Sequence, residues 1–211
     1  MSINKICLLI LLFSLTGCIY NEVPPPVITG TYPDTPIIKL PQPSPPVVRT
    51  ETKYPANWYP PKSIERKWTA IVIHHSGTST GNAEIFDRWH REGNHWEGVG
   101  YDFVIGNGTD SPDGKVEVTF RWTEQKTGAH CGGTPGNWAN REGVGICLVG
   151  DFNKTSPTRA QIQSLVKLIK FLKDRYQIPV SRIYGHGQVP GANTQCPGRS
   201  FPMPWVKSLV R

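Results

Sequence analysis

The chain has 211 residues, a formal charge of +7 at pH 7 and 37% hydrophobic residues. That length accommodates one domain of ordinary size with a substantial core. The positive charge resembles that of nucleic-acid binders, but the basic residues are scattered. Lys167, Lys170, Lys173 and Arg175 read most simply as the solvated side of one helix, so no nucleic-acid partner is expected. A basic surface also suits an acidic polymer bearing carboxylates.

In chain order, an export signal comes first. Lys5 supplies a positive start, and Ile6 to Phe13 is an eight-residue apolar run, too short to span a bilayer. The run leads into Leu15-Thr-Gly-Cys18, which resembles the bacterial lipobox; cleavage after residue 17 and lipidation of Cys18 are therefore expected. An ordinary signal peptide with a chance cysteine is the alternative. Ile19 follows where an inner-membrane retention aspartate would stand, so the expected address is the outer membrane, facing the periplasm. From Val23 to Pro61 the composition shifts, with twelve of the 20 prolines in this stretch. Residues 18–61 thus read as a lipidated cysteine followed by a semi-rigid tether. At about 3.1 Å per residue the tether would reach on the order of 120 Å. Residues 62–211 remain as a single folded domain, expected to be monomeric.

Within that domain Trp68 to His74 reads as a buried strand, and Asn82 to Glu92 as a helix capped by Asn82. Gly100 to Ile105 and Lys115 to Trp122 read as further strands, separated by a Gly/Asn/Asp/Pro turn cluster. Gly128 to Gly143 reads as loop and Val144 to Val149 as a central strand. The clearest helix spans about Arg159 to Tyr176, introduced by the capping-box pattern Thr158-Arg-Ala-Gln161. A short strand at Arg182 to Tyr184 leads to His186, and a short helix follows Pro204. Strands alternating with helices predict an α/β fold with a central mixed sheet flanked by helices.

Five cysteines and six histidines supply the reactive groups. Cys7 leaves with the signal and Cys18 takes the lipid, so Cys131, Cys147 and Cys196 remain; an odd number leaves at least one outside any internal disulfide. Whether Cys131 pairs with Cys147 is open. His74 and His75 are adjacent on a strand and point to opposite faces, so only one can face a pocket. The strand pattern does not choose between them. His90 and His95 are five apart, about 140° of helical rotation, and make no shared metal face. His130, between loop residues, suits either a substrate contact or a surface position. His186 and Cys196 bracket a nine-residue loop. Two imidazoles and a thiolate are zinc ligands, and three protein ligands leave a fourth tetrahedral position, the pattern of a hydrolytic rather than a structural site.

Several motifs in order make the reading specific: Ile71-Val-Ile-His-His-Ser-Gly-Thr78, Gly98-Val-Gly-Tyr-Asp-Phe-Val-Ile105, Gly128-Ala-His130, Val144-Gly-Ile-Cys-Leu-Val-Gly150, and Gly185-His186 followed by Thr194-Gln-Cys-Pro-Gly198. Over about residues 66–207 the chain resembles the zinc-dependent N-acetylmuramoyl-L-alanine amidases, which share a fold with animal peptidoglycan recognition proteins and certain phage lysozymes. The resemblance selects His74 over His75 and implies Zn²⁺ ligation by His74, His186 and Cys196. It implies catalytic roles for Tyr101 and Thr194 and a pocket-wall position for His130; Asn140, in the loop that departs from the family, is expected to bind substrate with His130. The expected activity is cleavage of the amide between N-acetylmuramic acid and L-alanine, in peptidoglycan or released muropeptides, by a zinc-activated water. A non-catalytic peptidoglycan-binding lipoprotein is the alternative. The chain departs from the family pattern in the extra residues of the Gly128–Gly143 loop. It also carries Cys147 where a cytoplasmic-recycling branch has a catalytic glutamate, which favours the tyrosine-dependent branch.

Overall fold

Alternating residues in the strands divide one sheet into two unlike faces. The structure, a computed structural model, describes residues 53–211. The signal segment, the Cys18 lipidation site and the tether up to residue 52 lie outside the described residues. The regular elements are β1 (Ala70–His75), α1 (Ala83–Asn94), β2 (Phe103–Ile105), β3 (Val116–Val118), α2 (Phe120–Thr123), α3 (Trp138–Glu142), β4 (Gly143–Leu148), α4 (Arg159–Tyr176), β5 (Ile183–Gly185) and α5 (Met203–Leu209). The sheet order is β3-β2-β4-β1-β5, parallel except for the antiparallel edge pair β2–β3. This is the mixed sheet with flanking helices that the pattern of elements predicts.

Period 2 sends Ile71 and Ile73 of β1 and Val144, Ile146 and Leu148 of β4 into the main core, where they meet Leu165, Leu168 and Leu172 of α4. The cap of α4 ties it to the sheet. Thr158 Oγ1 accepts the Gln161 N–H at 3.0 Å, and Gln161 Oε1 accepts the Thr158 N–H at 3.1 Å. The Gln161 amide nitrogen also donates to the carbonyls of Ile105 and Val149 at 3.2 and 2.9 Å, at the ends of β2 and β4. On the opposite face Val104 and Cys147 pack under Phe86 of α1, and Val72 packs with Cys131 and Ala139. Cys131 and Cys147 are both free thiols, buried in these two separate clusters, and form no disulfide.

The structure corrects several expected boundaries. The run Lys115 to Trp122 is not one strand, because β2 offers only three residues for pairing. After Val118 the chain turns into α2, which buries Trp122, and the indole N–H donates to the Trp58 carbonyl at 2.9 Å. The strand expected from Gly100 begins only at Phe103. Just before it, Asp102 pairs with Gly145 through its own N–H (2.9 Å) and through its carboxylate, which accepts the Gly145 N–H at 2.7 Å. The Gly128–Gly143 loop contains a 3₁₀ turn, Pro135–Asn137, and α3. The domain also begins earlier than residue 62. Tyr54 and Trp58 are buried against Phe171, with ring centroids 5.2 and 5.6 Å away. Burial of each aromatic side chain contributes about 1.5–3 kcal/mol, which outweighs the extended bias of the neighbouring prolines.

Candidate metal centre and active site

The site grows from the ends of two adjacent parallel strands. β1 closes on His74 and His75, whose side chains diverge. His75 is committed to the α4 side, where its Nδ1 accepts the Phe152 N–H at 3.0 Å. His74 is 1% exposed and points the other way. β5 pairs with β1 and delivers His186 immediately after its last residue, placing the two rings 4.6 Å apart. The following loop folds back, with the Gly187 N–H donating to the Cys196 carbonyl at 2.7 Å. A Cβ at Gly187 would lie 2.3 Å from the Thr194 carbonyl oxygen, so the loop closes only over glycine. Cys196 Sγ thereby comes to 3.7 Å from His74 Nδ1 and accepts the His75 N–H at 3.4 Å. One ligand atom from each of His74, His186 and Cys196 lies within 4.8 Å of the others.

The donor set fits a cation of the zinc type. Burial, with the nearby His130, His186 and His75, holds His74 well below the usual imidazole range. Burial and then His75 lower His186. Both rings are therefore neutral at pH 7 and each has a lone pair to offer. Burial pushes the Cys196 thiol up to about 12, so a thiolate at this position calls for a cation beside it. Two neutral imidazoles and one thiolate match the ligand preferences of Zn²⁺.

The remaining predicted residues divide into two groups. Tyr101 lies beside His74, with ring centroids 5.2 Å apart, and Thr194 lines a cleft of about 510 Å³ that reaches Cys196. Burial, with the thiols of Cys147 and Cys196, pushes the Tyr101 phenol well above its usual range, so it stays protonated. Thr194 Oγ1 accepts the Cys196 N–H at 3.1 Å. Gln188 and Arg199 line the same cleft, and no motif in the sequence singles them out. His130 and Asn140, the expected substrate contacts, are both largely buried. Each is 7% exposed. His130 presents Nδ1 to His74 Nε2 at 3.1 Å and Nε2 to the Gly143 carbonyl at 3.2 Å. Asn140 Oδ1 accepts the N–H groups of His130 and Cys131, both at 2.8 Å, and its amide nitrogen donates to Asn137 Oδ1 at 2.7 Å. Asn140 thus braces its loop beneath His130. His90 accepts the Gly100 N–H at 3.0 Å and packs on Trp96, outside the trio.

Comparison with known proteins agrees with this architecture. Residues 64–199 match the family Amidase_2, N-acetylmuramoyl-L-alanine amidase. The chain is 35% identical over 148 residues to peptidoglycan-recognition protein SC2 of Drosophila melanogaster, covering 66% of this chain and 73% of that one. It is 26% identical over 150 residues to the N-acetylmuramoyl-L-alanine amidase of Homo sapiens, covering 65% of this chain and 24% of that protein. Among solved structures it is similar to the N-acetylmuramoyl-L-alanine amidase LysC from Clostridium intestinale, at 28% identity and a TM-score of 0.57, covering 67% of this chain and 84% of that one. It is also similar to bumblebee PGRP-SA, at 25% identity and a TM-score of 0.54, covering 68% of this chain and 83% of that one. With a match that spans more than half of its length, the protein belongs to the N-acetylmuramoyl-L-alanine amidase family.

Proposed function

We propose that the protein is a zinc-dependent N-acetylmuramoyl-L-alanine amidase, which hydrolyses the amide between N-acetylmuramic acid and L-alanine in peptidoglycan or its fragments. The observation that carries this reading is the convergence of His74, His186 and Cys196, with ligand atoms within 4.8 Å of one another, in a chain of this family. When bound there, zinc supplies the Lewis acidity that activates water and polarises the scissile carbonyl. The chain's own residues do the rest. Because the Thr194 oxygen already accepts the Cys196 N–H, its hydroxyl hydrogen is free to donate to the oxyanion that develops on the carbonyl. The protonated phenol of Tyr101, beside His74, orients the attacking water or relays its proton.

The similarity to SC2, a protein named for recognition, motivates a second reading in which the domain binds wall fragments without cutting them. One experiment separates the two. The purified chain, assayed for zinc and incubated with sacculi and muropeptides, should hold about one zinc per chain and release stem peptides with a free L-alanine amine, detected by mass spectrometry. Zinc-replete protein that binds fragments but releases no peptide would support recognition instead. For its address we propose lipidation at Cys18 and attachment to the outer membrane, facing the periplasm. Cys18→Ser should then release a soluble protein that still cleaves isolated wall.

A further inference from the structure

We propose that His130 is a positioning residue that sets the tautomer and orientation of the His74 imidazole, and that Asn140 holds His130 in place for this task. The proposal rests on the reading of His74, His186 and Cys196 as a zinc site.

A backbone carbonyl can only accept a hydrogen bond. The Gly143 carbonyl lies 3.2 Å from His130 Nε2, so that nitrogen carries the hydrogen. In the neutral ring Nδ1 is then an acceptor, and it faces His74 Nε2 at 3.1 Å. Two lone pairs at that distance would repel, so His74 carries its hydrogen on Nε2. The His74 lone pair is left on Nδ1, the nitrogen that faces Cys196 Sγ at 3.7 Å. A backbone carbonyl thus dictates, through two imidazoles, which nitrogen of His74 is offered to the metal.

The surroundings hold this relay in register. A Cβ at Gly145 would lie 2.4 Å from the His130 ring, and one at Gly128 would lie 2.5 Å from it, so these two glycines leave the room that the ring fills. Asn140 anchors the backbone on both sides of the peptide bond between His130 and Cys131 through one side-chain oxygen. Partners of this kind orient a ligating imidazole and raise its basicity, and their loss lowers metal affinity roughly ten- to a hundredfold.

The test uses the full-length chain. In the metal-free wild type, long-range ¹H–¹⁵N NMR should show His74 and His130 both protonated on Nε2; protonation of His74 on Nδ1 overturns the proposal. Zinc affinity is then measured by competition with a chelating dye. His130→Leu should bind zinc roughly ten- to a hundredfold more weakly than the wild type. His130→Asn places an acceptor oxygen one bond beyond Cγ, as Nδ1 is, and should stay close to the wild type. Equal affinity of His130→Leu and the wild type, or equal loss in both variants, overturns the proposal. The wild-type spectrum decides it even where His130→Leu does not fold. Neither readout needs turnover, so failure of the amidase reading and failure of this one are separate results; a wild type that binds no zinc overturns this one.

Discussion

The two faces of the sheet are held by different physics, and β1 shows the contrast within six residues. Ile71 and Ile73 enter an apolar core beneath α4, while Val72 and His74 face the other way. β4 repeats the division, with Val144, Ile146 and Leu148 in the core against Gly143, Gly145 and Cys147 opposite. Burial on the α4 face is non-directional, so what counts there is volume. On the site face small residues make room for imidazoles and a carboxylate whose hydrogen bonds have direction. Substitutions of similar volume should therefore be tolerated beneath α4 and damaging at the site.

The largest test of this contrast is Cys196→Ala. Zinc should fall from about one per chain to near none, and turnover should fall to background, while the metal-free forms of variant and wild type unfold alike. Its neighbour across the strand, His75→Ala, should keep both metal and activity and lose only a hydrogen bond worth about 1 kcal/mol. An active, metal-replete Cys196→Ala protein would break the comparison at its centre.

Trp122→Ala probes the other face. The indole is fully buried, with its centroid 4.7 Å from that of Phe103. Denaturant unfolding should show a loss of about 3–5 kcal/mol, with zinc per folded chain unchanged. Unchanged stability would mean that burial is not what holds this face.

Tyr101→Phe and Thr194→Ala sharpen the picture within the site. Each should lower turnover roughly ten- to a thousandfold, about 1.4–4 kcal/mol of barrier, while zinc stays bound. Full activity in both variants would remove their catalytic roles.

The smallest expected effect belongs to Asp102. Burial pushes its carboxyl up to about 7, against the lowering effects of the Gly145 N–H and the Arg121 charge, and its Oδ1 has no hydrogen-bond partner among the described residues. The folded state therefore holds this proton more tightly than the unfolded state does. Its contribution to stability is complete below the ordinary value of 3.8 and is lost as pH rises through about 7. Asp102→Asn keeps an acceptor for the Gly145 N–H. Relative to the wild type it should gain about 1–3 kcal/mol between pH 4 and pH 8, since relaxation around the charged carboxylate recovers part of the full cost. Parallel stability curves for the two proteins would disprove this account.

Signals carried within a turn or two of chain are legible in the order of residues alone. The bounds of α4 follow from its capping box and from apolar residues at helical spacing, and Arg159–Tyr176 is the helix observed. The chemistry of the site is legible as residue types in ordered motifs. Their assembly is not, because His74 and Cys196 are 122 residues apart. The order of parallel strands brings them together, and no local window contains that order. Strand alternation leaves His74 and His75 equivalent, until Phe152 claims one face and Cys196 with His186 the other. Proline content marks residues 54–61 as tether, yet two aromatic side chains find a surface on α4 that composition cannot reveal. The resemblance puts His130 on the pocket wall, but no local window shows what seats its ring against His74. Gly145, from a different strand, opens the slot that turns His130 inward. The sequence by itself determined the longer helices α1 and α4, the apolar strands β1 and β4 and the kinds of reactive side chain; the tertiary structure decided the short helices α2 and α3 and which side chain faces which neighbour, because that depends on contacts between segments far apart along the chain.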